Sequence, residues 1–251
     1  MTMDESGSRS GQVARAQLNR LIAAVVVPLA LVHVALSERV RPGRGGRVAR
    51  RWIAVAARLT GLRFEVAGTG TAGDGQSRIL VANHSSLLDI PALIVACPEA
   101  RFVAGADLFR IPLLAAAMRS LDTVPVDRRG KERTVLRVPD VGDAGSTLVI
   151  FAEGKIAPPG ERLPFRGGAF ALAIEHGVPI VPVAIHHSSA RLPPRARLAV
   201  RPGTVGVRFL EPWPTTGLGM EERHRLRDQV EGALLGALTA ADGGSLVPGR
   251  P

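Results

Sequence analysis

The choice of folds is narrowed most by residues 78–91, Arg-Ile-Leu-Val-Ala-Asn-His-Ser-Ser-Leu-Leu-Asp-Ile-Pro. Four apolar, β-prone residues (Ile79, Leu80, Val81, Ala82) run into Asn83 and His84. The Ser85-Ser86 pair then offers a helix N-cap before Leu87 and Leu88 open an apolar face. Strand, tight corner and helix in that order put His84 just past the carboxyl end of a strand, where α/β proteins hold their ligands. With Ser86 as the cap, Asp89 falls in the first turn. Its carboxylate can then reach back to the imidazole, fix the tautomer and stabilise the imidazolium formed when His84 takes a proton. A plainer reading stands beside this one. Ser86-x-x-Asp89 is also a capping-box pattern, which makes Asp89 a helix-start residue and leaves His84 in a loop without a task.

A base needs something to deprotonate. There is no G-x-S-x-G elbow, and the single cysteine, Cys97, lies in an apolar stretch, so the nucleophile is expected to belong to a substrate. One cysteine excludes an internal disulfide and any cysteine-based zinc site, and the six histidines show no H-E-x-x-H spacing; no metal is expected.

The formal charge of +10 is uneven, because residues 1–60 hold ten arginines against Asp4, Glu5 and Glu38. Such a block suits nucleic acid or anionic lipid. Aromatics make up 4% of the chain and tyrosine is absent, so base stacking has little to work with and no nucleic-acid partner is expected. The neighbouring segment favours lipid. Residues 21–36 carry no formal charge, and as a helix they would measure roughly 24 Å, short of the ~30 Å hydrocarbon core, with Pro28 bending them. This leaves a marginal span or an arm embedded in one leaflet, while the following arginines favour the cytoplasmic side. A buried core helix is the alternative. Residues 1–12 are polar and expected to be disordered.

Beyond this segment, the sequence predicts a helix over 47–62 stopped by Gly61, strands over 62–66, 79–82, 101–104, 123–126 and 147–151, and helices over 90–97 and 132–138. Residues 107–121 are apolar on most sides, and 169–176 read as helix. A buried strand over 178–185, β-like runs over 197–200 and 206–209, and an amphipathic helix over 221–239 complete the chain. Three strands end on polar clusters, Asn83-His84, Asp127-Arg128 and Glu153-Gly154. Strands alternating with helices imply a largely parallel sheet whose carboxyl ends share one edge, so these clusters should meet in one crevice. Arg128 with Lys131 has the spacing to clamp a phosphate, and Glu153-Gly154 suits hydroxyl binding at a sharp turn; a solvated basic turn and a surface glutamate look the same in sequence.

From about residue 62 to about 212 the chain resembles the phospholipid/glycerol acyltransferase superfamily. Asn83-His84-x(4)-Asp89 is similar to its N-H-x(4)-D block, Val126-Asp127-Arg128 with Lys131 to a block ending in an aspartate-arginine pair, and Phe151-Ala152-Glu153-Gly154 to its F-P-E-G block. Phe165-Arg166-x-Gly168-Ala169 resembles the following F-K-x-G-A turn, and residues 178–185 the V-P-I-V-P-V strand. The resemblance implies acyl transfer from a coenzyme A or acyl carrier protein thioester to a glycerol hydroxyl, with no further cofactor. His84 would deprotonate the hydroxyl, Asp89 would hold the imidazole, Arg128 would grip the acceptor's phosphate, and Glu153 and Gly154 would shape the acceptor site. Where the family reads F-P-E-G-T-R this chain has Ala152, Lys155 and Ile156, and Gly105 replaces the family's lysine after a V-A pair. Lys155 supplies a cation from a neighbouring position, and the acceptor is left open between a lysophosphatidate and a phosphate-free alcohol.

The expectation is an α/β fold: a mostly parallel central sheet flanked by helices on both faces. Residues 1–60 form the disordered tip and a membrane-associating helical segment, and residues 61–251 a catalytic domain ending in the amphipathic helix. A lipid-binding relative that has lost the reaction is the non-enzymic alternative.

Overall fold

The computed structural model describes residues 4–68, 75–127, 138, 140–158, 161–196 and 198–242. Seven strands form one sheet: β1 (Leu62–Ala67), β2 (Arg78–Ala82), β3 (Arg101–Gly105), β4 (Val124–Val126), β5 (Thr147–Phe151), β6 (Ile180–His186) and β7 (Gly203–Phe209), in the order β1-β7-β6-β2-β5-β3-β4. Every neighbouring pair is parallel except β6 and β7. The central strand β2 is buried at every residue, as a strand covered on both faces must be. Its side chains alternate: Ile79 and Val81 face the core beneath α5 (Gly168–His176) and α7 (Arg223–Asp242), and Leu80 and Ala82 face the core beneath α3 (Asp89–Ala96).

The amino-terminal segment is a helical hairpin. α1 (Asp4–Val40) is one continuous helix with Pro28 inside it, and α2 (Gly45–Thr60) packs alongside. The expected disorder over residues 1–12 is corrected from Asp4 onward, because a nucleated helix adds one hydrogen bond per residue and propagates past a polar end. Two fixings tie α1 to the rest of the chain. Asn19 is fully buried, and its Nδ2 donates to the Thr60 carbonyl (3.0 Å) and the Val200 carbonyl (2.9 Å) beside the β1/β7 edge. At the other end, Glu38 accepts the N–H groups of Gly43 (2.7 Å) and Gly45 (2.8 Å). Gly45 abuts Ser120, just past α4 (Pro112–Arg119), so closely that an added Cβ would stand 2.3 Å from the Ser120 carbonyl oxygen. Nineteen residues of helix, about 28 Å, separate the two fixings.

Two sequence expectations change, and a third falls largely outside the described residues. The corner after β2 takes more residues than foreseen, with α3 starting at Asp89 and Ser86 lying in a turn rather than at the N-cap. The run over 197–200 contributes no strand among its described residues: Leu198 sits at φ +68°, which no strand tolerates, and β7 begins only at Gly203. The helix expected over 132–138 lies outside the described residues apart from Val138, which is not helical.

Candidate active site

The corner that carries His84 is built by its neighbours. The Asn83 side chain prolongs the β2–β6 ladder by one step, Nδ2 donating to the Ile185 carbonyl (3.0 Å) and Oδ1 accepting the Ile185 N–H (2.8 Å). The chain then wraps around Asp89. This fully buried carboxylate accepts three hydrogen bonds on one oxygen, Oδ2: the N–H of Ser85 (2.8 Å), the N–H of Ser86 (2.8 Å) and Nδ1 of His84 (2.9 Å). The plain and the functional readings of Asp89 therefore merge, since one oxygen both closes the turn into α3 and holds the imidazole. With Nδ1 donating to a carboxylate, Nε2 is left as the acceptor, which is the tautomer a base requires. Ser86 Oγ donates to the Leu192 carbonyl (2.8 Å), and Ser85 Oγ meets Ser188 Oγ (3.0 Å) at the start of the short helix α6 (Ser188–Arg191), tying the corner to the end of β6.

The end of β5 supplies the second wall. The Phe151 ring stacks on the His84 imidazole, with centroids 4.0 Å apart and planes 16° from parallel. Glu153 is buried, and its Oε1 accepts the backbone N–H of His84 (3.0 Å), so it holds the histidine's main chain. Burial pushes the Glu153 carboxyl above its ordinary value, opposed by the hydrogen bond from the His84 amide. The His84 carbonyl in turn accepts the N–H of Ala157 (2.9 Å), so residues 153–157 are laced to both sides of the His84 peptide. Gly154 turns this segment with φ +76°, and the Arg166 side chain lies directly against it.

These groups open onto a cavity of about 1260 Å³. Its lining is mainly apolar and includes Ile22, Val26, Ala30 and Val34 of α1, Trp52 and Ile53 of α2, Leu87 and Ile94 around α3, and Leu114 and Met118 of α4. His84 lines it together with Asp127, Glu153, Gly154, Lys155 and Arg166. One or more residues of each strand-end cluster, His84, Asp127 and Glu153-Gly154, thus line the same cavity. Arg128 and Lys131 lie outside the described residues. Among the described residues no group of three or more His, Cys, Asp or Glu side chains could hold a metal ion. Cys97 is buried, and burial pushes its thiol far above the ordinary value, which removes it as a nucleophile.

Three features escaped the sequence analysis. Phe151 read as a strand end and the first residue of a family block, Arg166 as part of a turn in another, and α1 as a lipid-seeking segment, none of them with a role at the histidine. Only Asn19 left a signal, a polar side chain four residues before Ala23 on what proves to be the inward face of α1.

Fold and site together define an α/β protein that presents a carboxylate-held histidine, at the carboxyl edge of its sheet, to an apolar cavity. The profile of the family described as Acyltransferase matches residues 63–186, a range containing His84, Asp89, Glu153 and Arg166. Human 1-acyl-sn-glycerol-3-phosphate acyltransferase beta is 32% identical over 182 residues, covering 69% of this chain and 64% of that protein. The mouse alpha form is 29% identical over 185 residues, covering 70% and 64%. The chloroplastic 1-acyl-sn-glycerol-3-phosphate acyltransferase BAT2 of Brassica napus is 29% identical over 137 residues, covering 53% and 40%. The chain therefore spans between two fifths and two thirds of these relatives' lengths. The crystal structure of the 1-acyl-sn-glycerophosphate acyltransferase PlsC of Thermotoga maritima shares the fold, with a TM-score of 0.70 at 24% identity over 94% of this chain and 98% of that one. Over residues 63–186 the chain is thus similar to the acyltransferase family.

Proposed function

We propose that this protein is a membrane-associated O-acyltransferase of phospholipid biosynthesis. It moves an acyl group from a coenzyme A or acyl carrier protein thioester to the hydroxyl of a lysophospholipid such as 1-acylglycerol-3-phosphate. The observation that carries the reading is the 2.9 Å contact between His84 Nδ1 and Asp89 Oδ2 beside a large apolar cavity. Nε2 of His84 takes the proton of the acceptor hydroxyl as that oxygen attacks the thioester carbonyl carbon. The tetrahedral intermediate collapses with cleavage of the C–S bond, and the imidazolium returns its proton to the departing thiolate. Asp89 stabilises the imidazolium in between, and no covalent enzyme intermediate, metal or cofactor is required. The cavity takes the acyl chain, exceeding the ~300–1,000 Å³ of an ordinary small-ligand pocket. Glu153 and Gly154 shape the acceptor end, with Lys155, Arg128 and Lys131 as its cations.

Membrane association rests on α1. Leu18, Leu21, Val25, Leu29, Val32, Leu36 and Val40 are all exposed and recur every three or four residues, forming a bare aliphatic stripe on the face opposite the cavity wall. Ala14–Val40 is long and apolar enough to cross a membrane. Asn19, however, ties the start of this segment to the Thr60 and Val200 carbonyls, and Glu38 ties its end to the connection whose Gly45 abuts Ser120, which favours a helix lying within one leaflet over a crossing one. Arg47, Arg51 and Arg58 share an exposed face of α2, suited to anionic headgroups and to the cytoplasmic leaflet.

The deciding assay uses purified full-length protein in detergent with acyl-CoA and lysophosphatidate, following thiol release and identifying the product by mass spectrometry. Wild type is expected to form phosphatidate and His84→Ala to lose at least ~10²-fold in kcat; near-native turnover in the variant would remove His84 as the base. One observation favours a second acceptor class. Ile156, an apolar residue, lines the cavity beside Lys155, which suits a phosphate-free acceptor such as a monoacylglycerol. Faster acylation of monoacylglycerol than of lysophosphatidate would establish it.

A further inference from the structure

We propose that Arg166, which lies outside the residues assigned to acceptor binding above, is a phosphate-gripping residue that sets substrate specificity. The inference rests on the acyltransferase reading and adds to it the ligand of a particular side chain. The backbone N–H of Arg166 donates to the Ala152 carbonyl (2.9 Å), which fixes residue 166 beside the turn after β5. Its side chain then lies across Gly154. A Cβ at residue 154 would stand 2.8 Å from Nε and 3.2 Å from Cζ of Arg166, so the guanidinium lies in the space beside the bare glycine. The same turn is bound to the base, since Glu153 Oε1 accepts the His84 amide and the Ala157 amide donates to the His84 carbonyl. Imidazole and guanidinium are therefore held by one short, hydrogen-bonded segment and line one cavity.

Among the described residues no ion pair consumes the charge on Arg166: none of those found, His84–Asp89, Arg101–Asp140 and Arg227–Asp228, involves it. The nearest acid in the turn, Glu153, has burial pushing it towards its neutral form and spends Oε1 on the His84 amide. Lys155, exposed on the same cavity wall, adds a second positive group. A planar guanidinium with a fixed fork of donors, supported by an ammonium, is suited to a phosphate monoester. In 1-acylglycerol-3-phosphate only two carbons and one ester oxygen separate the reacting hydroxyl oxygen from phosphorus. A cation tethered to the segment that holds the base is thus placed for the acceptor's phosphate. The phosphate groups of coenzyme A offer the same chemistry from the donor side.

The test compares wild type with Arg166→Met, which keeps the apolar stem, and Arg166→Lys, which restores the charge. Initial rates are measured with lysophosphatidate and with monoacylglycerol at varied acyl-CoA, and lysophosphatidate binding is measured directly in detergent micelles. Loss of a charged hydrogen bond to phosphate corresponds to roughly a tenfold to hundredfold loss of affinity. The expected result is a rise of that size in the lysophosphatidate KM and dissociation constant for Arg166→Met, partial recovery in Arg166→Lys, and kcat within a few fold. Monoacylglycerol kinetics should stay unchanged. A rise in the acyl-CoA KM instead also supports the phosphate grip and assigns it to the donor. Unchanged KM values for both phosphate-bearing substrates, or an equal loss with monoacylglycerol, would overturn the proposal. Absence of acyl transfer by wild type would defeat the enzymatic reading alone, because the micelle binding measurement still decides whether Arg166 holds phosphate.

Discussion

Replacing Asp89 by asparagine separates the two tasks that meet on Oδ2. That oxygen accepts two backbone N–H groups and His84 Nδ1 at 2.8–2.9 Å, while Oδ1 is buried with no partner among the described residues. An asparagine side chain with its carbonyl in the Oδ2 position keeps all three acceptor contacts, but as neutral bonds. Charge-assisted bonds are worth about 1.5–3 kcal/mol and neutral ones about 0.5–1.5, so the loss is about 1 kcal/mol for each, or about 3 in all. The new NH₂ group meanwhile enters the place of Oδ1, where it finds no acceptor and adds about 1–3 kcal/mol. At about 2–4 °C per kcal/mol for a chain of this size, thermal unfolding should shift down by about 8–24 °C. Catalysis should suffer more, because the imidazolium loses its counter-charge; in serine proteases the corresponding change lowers kcat by ~10⁴. Folding is checked by scanning calorimetry and turnover by thiol release below the unfolding transition. A folded Asp89→Asn enzyme retaining a tenth or more of native kcat would refute the coupling of Asp89 to the base.

Glu153→Gln keeps an acceptor for the His84 amide and removes the titration. Because burial raises the Glu153 carboxyl in the folded state, its contribution to stability is fully present below the unfolded value of 4.5 and is lost as pH rises through the folded value. Wild type should therefore lose melting temperature over that window relative to Glu153→Gln; parallel profiles would contradict the burial effect. Asn19→Ala deletes two buried hydrogen bonds and strands the Thr60 and Val200 carbonyls, an expected cost of about 2–4 kcal/mol by denaturant unfolding, with faster proteolysis within α1. Stability within about 0.5 kcal/mol of wild type, roughly the smallest worth of one such bond, would show that α1 is not anchored there. Phe151→Leu keeps an apolar side chain but removes the ring stacked on His84, worth about 0.5–1.5 kcal/mol, and should lower kcat by about three- to tenfold with KM unchanged. An unaltered kcat would make the ring a packing element only.

Local pattern alone reached far into the fold. The burial pattern of β2 was legible because a strand covered on both faces must be apolar at every residue, and the helix stop at Gly61 because only a residue tolerant of positive φ closes α2, here at φ +73°. The spacing of His84 and Asp89 likewise followed from corner geometry, and the meeting of β2 and β5 at one edge from parallel topology. Other features needed partners far apart in sequence. That Asp89 spends one oxygen on three donors, that Phe151 covers the imidazole and that Arg166 leans on Gly154 depend on distances between segments that periodicity cannot measure. The same holds for α1. Its composition marks an apolar helix, but which of its two apolar stripes walls the cavity was decided by where Asn19 finds its long-range hydrogen bonds, because a buried polar group must sit where its partners are.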